Sequence, residues 1–167
     1  MIRLVEPSQA YLDSYIAAYD EFAEAGVSTY GLTDARNVDV FAKFAAYRAA
    51  CDLPPNRVGA DYYWLVNDET MEFIGEISVR HELNDALRIC GGHIGYAVRM
   101  SRWNMGWGTL MLKLALERAK ARGIHRVLIT CNDDNIASAR VMEKNGLVLE
   151  DKVLAEGRLV RRYWKTL

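Results

Sequence analysis

Apolar residues recur along this chain with two different periods. From Ser8 to Phe22 the positions Tyr11, Leu12, Tyr15, Ile16, Tyr19 and Phe22 are spaced to form one face of a helix. Val40 to Cys51 keeps that rhythm through Val40, Phe41, Phe44 and Tyr47, and the segment DLPPN then breaks the chain. Residues 27–38 read as a loop. Ile2 to Val5, Tyr62 to Val66, Glu72 to Val79 and His93 to Arg99 read as strands, the second and third joined by the turn residues Asn67, Asp68, Glu69 and Thr70. His81 to Gly92 reads as a loop ending in the pair Gly91, Gly92. Met105 to Arg122 predicts a long, largely buried helix that stops at Gly123. Arg126 to Cys131 predicts a strand, and Asn135 caps a helix running through Asn145 to Gly146. Leu147 to Leu154 and Leu159 to Trp164 flank Ala155 to Arg158, a hairpin signature.

Strand 93–99, helix 105–122 and strand 126–131 make a β-α-β unit, which implies a right-handed crossover between parallel strands. The other pairings read as antiparallel. The expected fold is one mixed α/β or α+β domain over 1–167, with a central, mostly antiparallel sheet and helices on both faces. A length of 167 residues suits one core, and 51% hydrophobic with 26% charged residues is an ordinary globular balance.

A net charge of -1 gives no footprint for a nucleic-acid backbone or an anionic membrane, so any anion must be caught locally. No apolar run approaches the roughly 18 residues of a membrane span, and MIRLVEPSQA lacks the regions of a secretion signal, so a cytoplasmic protein is expected. Cys51, Cys90 and Cys131 are odd in number and far apart, with neither CxxC spacing nor a nearby His pair; disulfides and a metal site are not expected.

The stretch RWNMGWGT, Arg102 to Thr109, stands directly ahead of the long helix. A helix begins with backbone N–H groups that lack intrahelical partners and with about half a positive charge from aligned peptide dipoles. Gly106 and Gly108 would let a phosphate approach that terminus, and the Thr109 hydroxyl could add a donor. Two glycines after a strand also serve as a plain turn. Their spacing matches neither G-x-G-x-x-G nor G-x-x-x-x-G-K-[ST], so dinucleotide and P-loop readings find no support.

The run HIGYAVRMSRWNMGWGTLMLKLALERAKARG, followed by VLITCNDDNIASARVMEKNGLVLE, resembles the acetyl-CoA-binding core of the GNAT superfamily of N-acetyltransferases. The similarity extends from Tyr62 to Trp164, and "HIGYAVR" with "TCNDDNIAS" and "EKNG" resembles a bacterial group of predicted acetyltransferases. The resemblance implies a parallel β-α-β core that binds acetyl-CoA, and transfer of the acetyl group to the primary amine of a small molecule or peptide. It places Val98, Arg99 and Met100 along the pantetheine arm. It places Trp103, Asn104, Met105, Gly106, Trp107 and Gly108, with Thr109, around the pyrophosphate. Trp103 stands where the family has Arg or Gln, with Arg102 adjacent. Asn135 and Ser138 match the family's N-x-x-[SA], where the Asn meets the pantetheine; the same Asn is also a good helix cap. A monomer or a homodimer is expected.

Acetyl transfer from a thioester to an amine needs a neutral nucleophile and a thiolate that can leave. At pH 7 an alkyl amine costs about 4.6 kcal/mol to deprotonate, and a thiolate only about 2 kcal/mol to release. A general base therefore matters more than a general acid. The candidates are Glu76, His81 and His93, each of which also has an ordinary structural reading; His125, just past the helix-ending Gly123, reads as surface. Many GNAT enzymes place a Tyr seven residues after the motif Asn, and Met142 stands there, so the acid is absent, replaced by water, or carried by Tyr96 or Tyr163. Cys131 reads as packing, and Tyr62, Tyr63 and Trp64 as hairpin core. The resemblance assigns the acceptor pocket to the helices 8–22 and 40–51. A competing function, consistent with Met142 and Trp103, is a non-catalytic acyl-CoA-binding or sensor module.

Overall fold

The computed structural model describes residues 1–29 and 31–167; Tyr30, within the expected loop over 27–38, lies outside the described residues. The elements run β1 (Ile2–Val5), α1 (Leu12–Glu24), α2 (Val40–Ala49), β2 (Ala60–Asn67), β3 (Glu72–Arg80), α3 (Asp85–Ile89), β4 (Ile94–Val98), α4 (Trp107–Ala121), β5 (Arg126–Asn132), α5 (Ile136–Lys144), β6 (Val148–Ala155) and β7 (Arg158–Thr166). Among the described residues, no helix is long and apolar enough to cross a membrane.

Local chemistry sets most boundaries. The helix expected from Ser8 begins as a tighter 3-10 turn, Gln9–Tyr11, because the Ser8 hydroxyl accepts from the Ala10 N–H. Asp39 caps α2 by accepting from the Ala42 N–H, and Asn135 caps α5 by accepting from the Ser138 N–H. The expected loop over 81–92 contains α3, whose start is capped by Asn84 accepting from Leu87 N–H at 2.9 Å. Five residues are too few to show a helical period.

Among the described residues all the ladders are antiparallel. They form two sheets, one in the order β1-β2-β3-β4 and one in the order β5-β7-β6. The mixed α+β class holds, but the expected parallel pairing of 93–99 with 126–131 is absent among the described residues. The two strand segments meet at one isolated bridge, Gly92 with Ile129. A Cβ on Gly92 would stand 2.3 Å from the Leu128 carbonyl oxygen, so only glycine allows this approach. Next to it the His93 N–H donates to the Leu128 oxygen at 2.7 Å, and the Leu128 N–H donates to Nδ1 of the His93 ring at 3.0 Å. The ring takes the donor that a continuing ladder would use, and beyond it the strands part.

The first sheet separates two apolar clusters. Leu65, Ile74, Ile77 and Val79 pack with Met111, Leu112 and Ala115 of α4. Trp64, Val66 and Phe73 pack with Tyr15, Ala18 and Phe22 of α1 and Phe44 of α2. In β3 the register slips opposite Leu65 and Val66: Gly75 pairs with Leu65 and Phe73 with Val66, which leaves Ile74 as a bulge. Strict alternation is broken there, so Phe73 and Glu76 both face the α1–α2 side.

Candidate active site

Past the His93 junction, β4 borders a cavity of about 510 Å³. Its walls are Tyr96, Ala97 and Val98 of β4, the loop leading into α4, and the first half of α5. Asn145 fixes the two helices against each other: its side-chain amide donates to the carbonyls of Thr109 and Val141, at 3.1 and 2.9 Å.

The loop is shaped by its glycines in two different ways. Gly106 has φ 85°, and nothing lies within 4 Å of where its Cβ would stand; it supplies a left-handed turn beside open space. At Gly108 a Cβ would stand 3.3 Å from a Val141 methyl and 3.6 Å from a Val98 methyl, so this glycine lets β4, α4 and α5 converge. Gly106 is the N-cap of α4 and has no side chain to cap with. Among the described residues, the N–H groups of Trp107, Gly108 and Thr109 find no protein acceptor. The result is a helix start with unmatched donors and positive dipole potential at a cavity wall. Among the described residues the buried indole N–H of Trp107 also has no partner.

Of the residues expected around a coenzyme, Val98, Trp103, Asn104, Gly106, Trp107, Gly108, Thr109, Asn135 and Ser138 line the cavity. Arg99, Met100 and Met105 are not among its walls. Arg99 turns toward α1, donating from Nε to Glu21 at 2.6 Å and from Nη1 to the Ser14 hydroxyl at 3.1 Å, while its N–H bonds the Ile74 carbonyl. Met100 packs against the α1–α2 cluster, and Met105 is exposed. Asn135 uses Oδ1 to cap α5, so both expected roles are compatible: its amide N–H groups remain available to a ligand.

Sequence reasoning missed Arg140 and Lys144, which line the cavity from α5. Their spacing of four on the exposed side of a capped helix was the available signal. Arg102 also lines the cavity, yet its guanidinium is paired with Glu72 at 2.7 Å. Glu21 grips the loop a second time, accepting from the N–H and the hydroxyl of Ser101, both at 3.0 Å.

The three expected bases are scattered. Glu76 is buried on the α1–α2 side, accepting from the Trp64 indole N–H at 3.0 Å, and its Cα partner across the ladder is the cavity residue Ala97. Burial pushes its carboxyl up to about 7, against smaller downward pulls from the Trp64 hydrogen bond and Lys43. His93 is the strand junction, and burial lowers it to about 4. His81 lies in a separate cluster with Asp61, which also holds Arg122 at 2.7 Å and Arg48 at 3.4 Å; burial lowers the His81 pKa. None of the three lines the cavity; Glu76 comes nearest in the fold, through its ladder partner Ala97.

Met142 is fully buried. Tyr163 is also enclosed, donating to Glu143 at 2.9 Å. Tyr96 does line the cavity; its hydroxyl lies 3.5 Å from the Ser138 carbonyl oxygen, and burial pushes it up to about 12. Burial likewise raises the Cys131 thiol to about 11, so it stays a neutral packing group.

A family model described as an acetyltransferase (GNAT) domain matches residues 2–148. Among solved structures, one from Bordetella pertussis described as a GnaT-family acetyltransferase is 18% identical, covers 99% of this chain and 95% of its own, and superposes with a TM-score of 0.71. The microcin C7 self-immunity acetyltransferase MccE, in complex with acetyl-CoA and AMP, is 16% identical over 99% of this chain and 92% of its own, with a TM-score of 0.73. An acetyltransferase from Salmonella typhimurium that modifies the N-terminal serine of a 50S ribosomal subunit protein is 16% identical over 99% and 95%, with a TM-score of 0.70. At these identities the likeness concerns the fold. A search of curated proteins finds no match.

Proposed function

Because the chain belongs to the GNAT family of acetyltransferases, we propose that the cavity beside α4 binds acetyl-CoA and that the protein passes the acetyl group to a primary amine of a small molecule or peptide by direct attack. The observation that carries this reading is the set of unmatched N–H groups on Trp107, Gly108 and Thr109, open to the cavity beside Gly106. Such a terminus is suited to a diphosphate. Arg140 and Lys144 supply cations to the same wall, and the Asn135 amide is positioned to donate to a pantetheine arm between β4 and α5. The coenzyme supplies the activated thioester; the chain's own residues hold it and manage protons.

Glu76 is the base in this reading, being buried on the ladder opposite Ala97 with a carboxyl near 7, half ionised at neutral pH. Tyr96 serves the departing thiolate. A hydroxyl held near 12 cannot fully protonate a thiolate whose acid has a pKa of roughly 8.5, so Tyr96 donates a hydrogen bond to the developing charge and water completes the transfer. Tyr96→Phe should lower kcat while leaving the affinity for acetyl-CoA unchanged.

Gly106→Asp tests the site. The new side chain enters open space beside the unmatched N–H groups, where its carboxylate competes with the diphosphate, and Gly106→Asn, which carries the same backbone strain at φ 85° without the charge, is the control. Calorimetry should show acetyl-CoA binding to the wild type and at least a hundredfold loss in the variant, with an unchanged circular dichroism spectrum. Equal affinities would remove the assignment. Binding without release of free CoA across a broad amine panel would favour the sensor reading over the enzyme.

A further inference from the structure

On the α1–α2 side of the first sheet, Glu76, Ser78 and Arg80 occupy alternate positions of β3 and so share a face. Arg80 reaches across β4. Its Nη1 donates to the carbonyls of Gly91 and Gly92 at 3.1 and 2.9 Å, and its Nη2 is the atom nearest to where a Cβ on Gly95 would stand, at 3.3 Å, with the Ser78 hydroxyl next at 3.6 Å. Gly95 immediately precedes the cavity residues Tyr96, Ala97 and Val98. Among the described residues Arg80 has no carboxylate partner, although most of its length is covered. The charged and titratable groups facing it are Arg57, Tyr47, Tyr62 and Cys90. Arg88 and Arg80 both act on neighbouring His93. A half-buried guanidinium joined by further cations and balanced by no carboxylate is costly for a fold, and it is an arrangement that recognises oxyanions.

We infer that Arg80 anchors an oxyanion of the acceptor, so that the substrate is an amine carrying a carboxylate or phosphate group. This rests on the proposed acetyl transfer at the cavity beside β4. Gly95 and Ala97 lie two residues apart on one strand, roughly 7 Å, which sets the span between the bound oxyanion and the amine. The two carbonyl bonds fix the guanidinium plane; Gly95, lacking a side chain, makes room for Nη2, and among the described residues Nη2 and Nε donate to no protein acceptor. Arg57, which is exposed, adds attraction from outside.

The test uses matched amines, γ-aminobutyrate against butylamine and phosphoethanolamine against ethanolamine, with acetyl transfer followed by free CoA. The wild type should favour the anionic member of at least one pair by about tenfold or more in kcat/KM, and the preferred pair tells carboxylate from phosphate. Arg80→Gln should erase that preference through KM, Arg80→Lys should keep part of it, and acetyl-CoA affinity should not change in either. Arg57→Glu, at an exposed position, should weaken the preference without risk to folding. A merely structural Arg80 would instead slow all four amines alike. If no amine turns over, inorganic phosphate and succinate are titrated into the CoA-saturated wild type, Arg80→Gln and Arg57→Glu proteins, or into the free proteins if CoA does not bind. Oxyanion binding weakened by either variant supports the anchor even where the transferase reading fails. Equal binding in all three, or a wild-type preference for the neutral amines, overturns it.

Discussion

Replacing Glu76 by Gln separates its contribution to stability from its proposed chemistry. The folded protein holds this carboxyl near 7, chiefly through burial, against an ordinary 4.5. The unfolded chain releases the proton from about 4.5 upward, whereas the folded protein keeps it until about 7. In that window the folded state binds more protons, so stability falls as pH rises and the loss is complete above 7. A gap from 4.5 to about 7 corresponds to roughly 3 kcal/mol. Gln keeps an oxygen for the Trp64 indole N–H at 3.0 Å but never ionises. Thermal melts of the two proteins should therefore nearly coincide at about pH 4.5. At about pH 8 the variant should melt higher by roughly 6–12 °C, on the scale of 2–4 °C per kcal/mol for a chain of this size. The same variant should lose the limb near pH 7 from its rate profile. A melting difference that stays constant from pH 4.5 to 8 would refute the reasoning, because it would mean that the carboxyl does not titrate with folding.

Three other outcomes are expected. In Glu21→Ala the loop loses its bonds to Ser101 and Arg99, which should raise KM for acetyl-CoA by roughly three- to tenfold with little change in kcat; an unchanged KM would show that the loop holds its shape without α1. Met142→Tyr, placed to restore the family's usual residue, should destabilise the protein by about 1–3 kcal/mol in a denaturant titration and add no activity, because the position is fully buried. His93 contributes in the opposite pH direction to Glu76. Burial depresses it to about 4, so the unfolded chain takes up the proton first, and stability is lost as pH falls from 6.5 toward 4. His93→Gln should flatten that acid limb in melts across the same range.

The sequence pattern located nearly every element, because amphipathic helices and strands carry their period locally. Asn135, Asp39 and Gly123 mark helix ends through short-range hydrogen bonds and backbone conformation, which act within a few residues. The glycine loop and the N-x-x-S start of the following helix were legible for the same reason, and both stand at the cavity. α3 escaped, being shorter than the window in which a period can show, although its Asn84 cap was there to be read.

Long-range placement was decided by contacts that no local pattern encodes. The β-α-β reading implied parallel strands, but among the described residues the two segments meet at a single bridge, next to which the His93 ring accepts the Leu128 N–H. Arg99 has the spacing of a coenzyme residue and is drawn away by Glu21, nearly eighty residues earlier in the chain. Glu76, His81 and His93 were all candidate bases on sequence, with Glu76 the better placed by its strand. Their separation into a buried face, an Asp61 cluster and a strand junction depends on the bulge at Ile74 and on which strands lie side by side. The chain alone therefore determined most of its elements, its loop chemistry and its family, all properties of neighbouring residues. Which ionisable groups meet, and how far burial moves their proton affinities, was decided by tertiary packing, because desolvation and charge pairing depend on distance through space.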